Sequence, residues 1–114
     1  MNFDDYQNAA SKTAVYPNQG DNLTYPALGL AGEAGEVAEK VKKIIRDDGG
    51  ELTPSRISSL EKELGDVLWY VAAMCHEIGV TMEQVAMEQV AMKNVVKLQD
   101  RVARGAIKGS GDDR

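Results

Sequence analysis

The chain has 114 residues, a formal net charge of −5, 43% hydrophobic residues and 27% charged ones. That length suits a single domain, and the acidic balance argues against a nucleic-acid binder, which carries a basic stripe. No apolar run approaches the roughly 20 residues that a bilayer span needs, and one cysteine allows neither an internal disulfide nor a thiol zinc cluster.

The amino-terminal Met1-Asn2-Phe3-Asp4-Asp5 lacks the basic and then apolar pattern of a secretion signal. A cytoplasmic protein is therefore expected, with neither membrane nor nucleic acid as partner. Cys75, inside Val71-Ala72-Ala73-Met74-Cys75, reads as a small buried hydrophobe in a reducing compartment.

Strand signals are almost absent, and four helices are predicted in one domain spanning residues 1–114. The first covers residues 3–14 and ends before the loop Tyr16-Pro17-Asn18-Gln19-Gly20-Asp21-Asn22. The second covers residues 26–48, opening on Pro26, whose missing N–H costs nothing at a helix start, and stopping at Gly49-Gly50. Its Leu30, Ala34, Val37, Val41 and Ile44 make one apolar stripe. The third, residues 54–78, has Thr53 as N-cap, Pro54 at the first position and Gly79 as its stop. Ile57, Leu60, Leu64, Val67, Val71, Met74 and Ile78 follow one another in three-four steps. The fourth, residues 82–104, begins behind a Thr81/Gln84 capping box and ends at Gly105. An irregular tail, residues 105–114, closes the chain. The fold class that follows is all-α, a four-helix bundle-like protomer.

Met82-Glu-Gln-Val-Ala86 repeats as Met87-Glu-Gln-Val-Ala91. In α-helical geometry five residues turn the pattern by roughly 140°, so the two copies are expected on different faces.

Chemistry concentrates in two acid pairs, Glu33-Ala-Gly-Glu36 and Glu63-Leu-Gly-Asp66. Three-residue spacing puts each pair on one helical face, where like charges repel and do not help the helix form. Glu33 precedes Val37 by one turn and Glu63 precedes Val67 by one turn, so the acids border the apolar stripes. If the stripes pack together, four carboxylates meet at the edge of the core, and a hard divalent cation relieves their repulsion. A solvated acidic face is the simpler reading of either pair alone. Gly35 and Gly65 sit inside these motifs at about 1 kcal/mol each relative to alanine, which points to a backbone or a ligand coming close.

At these residues the sequence resembles the all-α nucleoside triphosphate pyrophosphohydrolases of the MazG-like superfamily, in its small single-domain branch. The superfamily's Glu-Glu-x-x-Glu and Glu-x-x-Asp motifs match Gly32-Glu33-Ala34-Gly35-Glu36 and Glu63-Leu64-Gly65-Asp66. The wider matches are Leu28 to Lys40 and Lys62 to Tyr70, with Asn94-Val-Val-Lys97-Leu98 and Arg101 resembling the last helix. Gly32 replaces the first Glu, as in members similar to the eukaryotic dCTP pyrophosphatase, so any role of that extra carboxylate does not carry over.

The resemblance implies that Glu33, Glu36, Glu63 and Asp66 bind Mg2+, with Mn2+ able to substitute. These four then act catalytically through a cation-activated water that attacks between the α and β phosphates of a nucleoside triphosphate. Monophosphate and pyrophosphate are the implied products, nucleotide-pool housecleaning the implied role, and a homodimer or homotetramer the implied assembly. Asn94, Lys97, Arg101 and Arg104 step along one face of the fourth helix and either grip phosphates or form a solvated cationic face. Lys40 either reaches a phosphate or makes a surface ion pair. Trp69 and Tyr70 are candidates to stack on the base, with core packing the alternative for Trp69. His76 reads as a partly buried polar group. The rival reading is a non-catalytic helical module that binds metal, nucleotide or protein, with its acids in salt bridges to Lys42, Lys43 or Lys62.

Overall fold

A computed structural model describes residues 1–105, the side chains of 89–91 excepted. The fold is all-helical, with no strand among the described residues. The predicted irregular tail lies outside them from residue 106 onward.

Helix α1 spans Phe3–Ser11. Asn2 caps it, its Oδ1 accepting from Asp5 N–H at 2.8 Å while the Asp5 carboxylate accepts from Asn2 N–H at 3.5 Å, and Asp4 and Asp5 face the positive end of the helix dipole. The helix is three residues shorter than predicted because side-chain hydroxyls compete for its last carbonyls. Ser11 Oγ donates to Asn8 O and Thr13 Oγ1 to Ala10 O, both at 2.8 Å.

Helix α2 spans Thr24–Asp48 and opens two residues before Pro26. Asn22 Oδ1 accepts from Tyr25 N–H at 3.0 Å, and Pro26 falls within the first turn, where its lack of an N–H is still harmless. Gly49 and Gly50, at φ +61° and +83°, end it in the left-handed region that glycine enters without strain.

Helix α3 spans Pro54–Ile78. Thr53 Oγ1 accepts from Arg56 N–H at 3.2 Å, and Gly79 at φ +74° stops the helix. The Arg56 guanidinium donates to Asp48 at 2.6 Å and clasps the short turn between α2 and α3. That turn makes the two helices antiparallel neighbours and sets which residues face each other.

Helix α1 also packs on α3. The core there is Ala10, Ala72, Cys75 and Met82, flanked by Phe3, Tyr6, Trp69, Val71, Val80 and Val85. Gln7 ties α1 to the segment that follows α3, donating to Val80 O at 3.1 Å and accepting from Met82 N–H at 2.6 Å. Two backbone groups that no helix satisfies are thereby paired.

The fourth predicted helix is two elements. Thr81 and Gln84 form the expected capping contacts, Gln84 N–H donating to Thr81 Oγ1 at 3.1 Å. Gln84–Met92 is then π-helical, and α4 resumes at Lys93–Ala103. This corrects the 140° expectation for the repeat. With i→i+5 bonding, five residues are about one turn, so the copies stay on similar sides. Met82 is buried in the core, and Met87 lines the adjoining cleft beside Phe3, Tyr6 and Leu68. Helix α4 runs straight on from this π segment, and among the described residues it does not pack into the α2–α3 pair. Leu64, Val96 and Val102 stay 56%, 62% and 64% exposed, which leaves the protomer an open arrangement.

Candidate metal centre and substrate cleft

Antiparallel packing of α2 on α3 brings Glu33 opposite Glu63 and Asp66. Each offers a carboxylate oxygen, and the three oxygens lie within 4.8 Å of one another. Glu33 is pushed up from the ordinary carboxylate range, first by desolvation, then by the charges of Asp66, Glu63 and Glu36 and by a hydrogen bond with Glu63. Burial and neighbouring like charges both disfavour the ionised form of such a group. The donor set is all oxygen and leaves room for waters, which fits a hard cation such as Mg2+ or Mn2+. Glu36 is exposed one turn along α2 and acts on Glu33 through its charge, but it is not among the three converging oxygens.

Nearby lysines divide sharply. Lys40 Nζ lies 3.1 Å from Glu63 Oε1, in an ion pair whose side chains are 31% and 15% exposed. Lys42 and Lys43 instead pair with Glu39, at 2.8 and 3.8 Å.

Above the acids opens a cleft of about 400 Å³ lined by Thr13, Glu33, Asp66, Trp69 and Tyr70, within the usual size range of small-molecule sites. Both readings of Trp69 meet here, since its ring packs on the core cluster and also lines the cleft. Its Nε1–H donates to Thr13 Oγ1 at 2.9 Å, and Tyr70 meets it edge-on with centroids 5.0 Å apart. Burial, a hydrogen bond with Tyr25 and the charges of Glu33 and Asp66 push the Tyr70 phenol up, burial most.

Tyr16, Tyr25, Tyr6 and Glu77 were not anticipated. Tyr16 stacks on Tyr25 at 4.6 Å, and Tyr25 lies 6.4 Å from Tyr70, so an aromatic row runs from the α1–α2 loop to the cleft. Glu77 holds that loop, accepting from the Tyr16 hydroxyl at 2.5 Å, Gly20 N–H at 2.9 Å and Asn22 N–H at 3.1 Å. Tyr6, on α1, is pushed up by burial and by the charge of Asp66. Tyr6 and Tyr16 lie far in sequence from the acid motifs, and only the fold reveals how they relate to Tyr25, Glu77 and the acids.

Other expectations are placed differently. His76 is exposed, on the rim of a small apolar cavity with Tyr16, Gln19 and Trp69. Cys75 is buried, as its apolar run suggests. A Cβ built on Gly35 or Gly65 meets nothing within 4 Å, so no other backbone comes close there among the described residues. Asn94 and Lys97 are half-buried and Arg101 is buried at 3% exposure. Arg104 pairs with Asp100 at 2.7 Å, and no α4 residue lines the cleft.

Residues 22–104 match the MazG nucleotide pyrophosphohydrolase domain. The chain is also 48% identical over 119 aligned residues to the "Gene 37 protein" of Mycobacterium phage L5, with each chain covered in full. No solved structure is matched.

Proposed function

Because the chain belongs to the MazG nucleotide pyrophosphohydrolase family, we propose that it hydrolyses nucleoside or deoxynucleoside triphosphates between the α and β phosphates, releasing monophosphate and pyrophosphate. The observation that carries this reading is the convergence of Glu33, Glu63 and Asp66 beneath an aromatic-walled cleft. These three carboxylates would hold Mg2+, or Mn2+ in its place, and Glu36 would join them through a change of rotamer. A bound cation supplies an acidified water and neutralises the triphosphate oxygens, which an acidic pocket would otherwise repel.

The chain's own residues orient the substrate. Trp69 and Tyr70 present ring surface for a base beside the acids, so the phosphates point toward the carboxylates. Thr13 accepts from the indole N–H and donates to Ala10 O, and so fixes the indole plane. Asn94 and Lys97 reach the phosphates only where α4 meets the cleft of another copy, as in a homodimer or homotetramer. The exposed Leu64, Val96 and Val102 support such assembly. Arg101, buried in its own chain, is the weakest of the α4 candidates. In this reading residues 1–114 form one domain, and its role is nucleotide-pool housecleaning.

One observation favours the non-catalytic alternative, the ion pair between Lys40 and Glu63, because a structural acid would be paired in that way. Lys42 and Lys43, which that reading assigned to the acids, pair with Glu39 instead. A panel of nucleotides incubated with Mg2+ separates the two readings. Monophosphate and pyrophosphate are expected; diphosphate with orthophosphate contradicts the bond assignment, and no product favours the alternative.

A further inference from the structure

Glu63 is largely enclosed, with 15% of its side chain exposed, and the ammonium of Lys40 sits on its Oε1 at 3.1 Å. The same carboxylate lies within 4.8 Å of the Asp66 and Glu33 oxygens. Lys40 extends from α2 one turn beyond Glu36, so a single helix carries both a repelling pair of acids and the cation that offsets their neighbour. Lys42 and Lys43, two and three residues on, point to Glu39 and leave the cluster to Lys40.

Resting on the metal-binding reading above, we propose that Lys40 is a displaceable counter-ion. It neutralises Glu63 while the site is empty and gives up that oxygen when a divalent cation enters. An ammonium ion and a doubly charged cation on one carboxylate repel strongly at this separation in a partly desolvated site. A lysine on a flexible four-carbon stem, a third exposed, can swing away at small cost. The ion pair is a built-in substitute for the metal, and its affinity for Glu63 subtracts from the metal's own.

The test is calorimetric titration of the full chain with Mn2+ in the absence of nucleotide, for the native protein, Lys40→Met and Lys40→Arg. Lys40→Met keeps most of the side-chain volume, and Lys40→Arg shows whether charge alone matters. The proposal expects Mn2+ to bind Lys40→Met about tenfold more tightly than the native chain, with Lys40→Arg close to native. Without metal, Lys40→Met should melt earlier than the native protein, and saturating Mn2+ should close the gap. Equal affinities for the native chain and Lys40→Met overturn the proposal and leave the metal reading intact, as does weaker binding by Lys40→Met. Absence of Mn2+ binding by every variant overturns both.

Discussion

The ring of Tyr70 occupies the space in which a side chain at Gly29 would stand: a Cβ built on Gly29 falls 2.0 Å from Tyr70 Cε1. Glycine at that point of α2 lets an aromatic ring of α3 lie against the backbone and form one wall of the cleft. Alanine in a helix interior gains about 1 kcal/mol over glycine, whereas overpacking costs about 1–3 kcal/mol, so the clash prevails or cancels the gain. Gly29→Ala should leave stability unchanged or lower it by up to about 2 kcal/mol, and raise KM by displacing Tyr70. Gly35→Ala and Gly65→Ala, with open space at both positions, should gain up to about 1 kcal/mol each. Denaturant unfolding of the three variants measures the difference, and a stabilised Gly29→Ala would contradict this packing.

Removing one of the converging carboxylates leaves too few oxygens to hold the cation. Asp66→Ala and Glu33→Ala should lose two or more orders of magnitude in pyrophosphate release, the worth of several kcal/mol of metal catalysis. Glu36→Ala should lose activity as well, through the fourth position of the set. Circular dichroism should remain native-like, since each change relieves repulsion. Full activity in Asp66→Ala would remove that residue from the mechanism.

Glu77 and Tyr16 give the α1–α2 loop a pH signature. The Tyr16 hydroxyl, then the Gly20 N–H, hold the Glu77 carboxyl below its ordinary 4.5. A depressed acid contributes stability that is present above pH 4.5 and is lost as pH falls through the depressed value. Tyr16 is pushed from 10.0 up to about 12 by burial and by Glu77. Its contribution is complete below pH 10 and lost as pH rises toward about 12. Thermal melts across pH should show both limbs. Glu77→Gln should flatten the acid limb and weaken the alkaline one, and Tyr16→Phe should abolish the alkaline limb.

Deleting one Met-Glu-Gln-Val-Ala copy yields the same chain whichever copy is removed. The π-helical geometry that absorbs the extra five residues is strained relative to an α-helix. The deletion variant should therefore fold with a continuous fourth helix and with α4 on nearly its present face. Hydrogen exchange across residues 82–98 should become slower. Loss of folding would show that the π segment is required and does more than accommodate the repeat.

Much of the fold can be read from local chemistry. Thr53, Pro54 and Gly79 act where a cap, a first position and a stop should be, because such signals depend on neighbours within one turn. The end of α1 is not legible from periodicity because the Ser11 and Thr13 hydroxyls outcompete helix propensity. The π segment is invisible to a periodicity that assumes 3.6 residues per turn. In the candidate site, the acid pairs stand out because their spacing opposes helix stability. Tyr16, Tyr25 and Glu77 do not stand out, since their roles exist only once the loop crosses α3. Gly35 and Gly65 misled for a related reason: a helical glycine signals proximity without naming the neighbour.

The most direct measurement is an anomalous difference map from crystals of the full chain grown with Mn2+. A peak is expected within coordination distance of Glu33, Glu63 and Asp66, with Lys40 Nζ moved away from Glu63. A map with no peak there, or with the three carboxylates turned apart toward bulk solvent, would contradict the account.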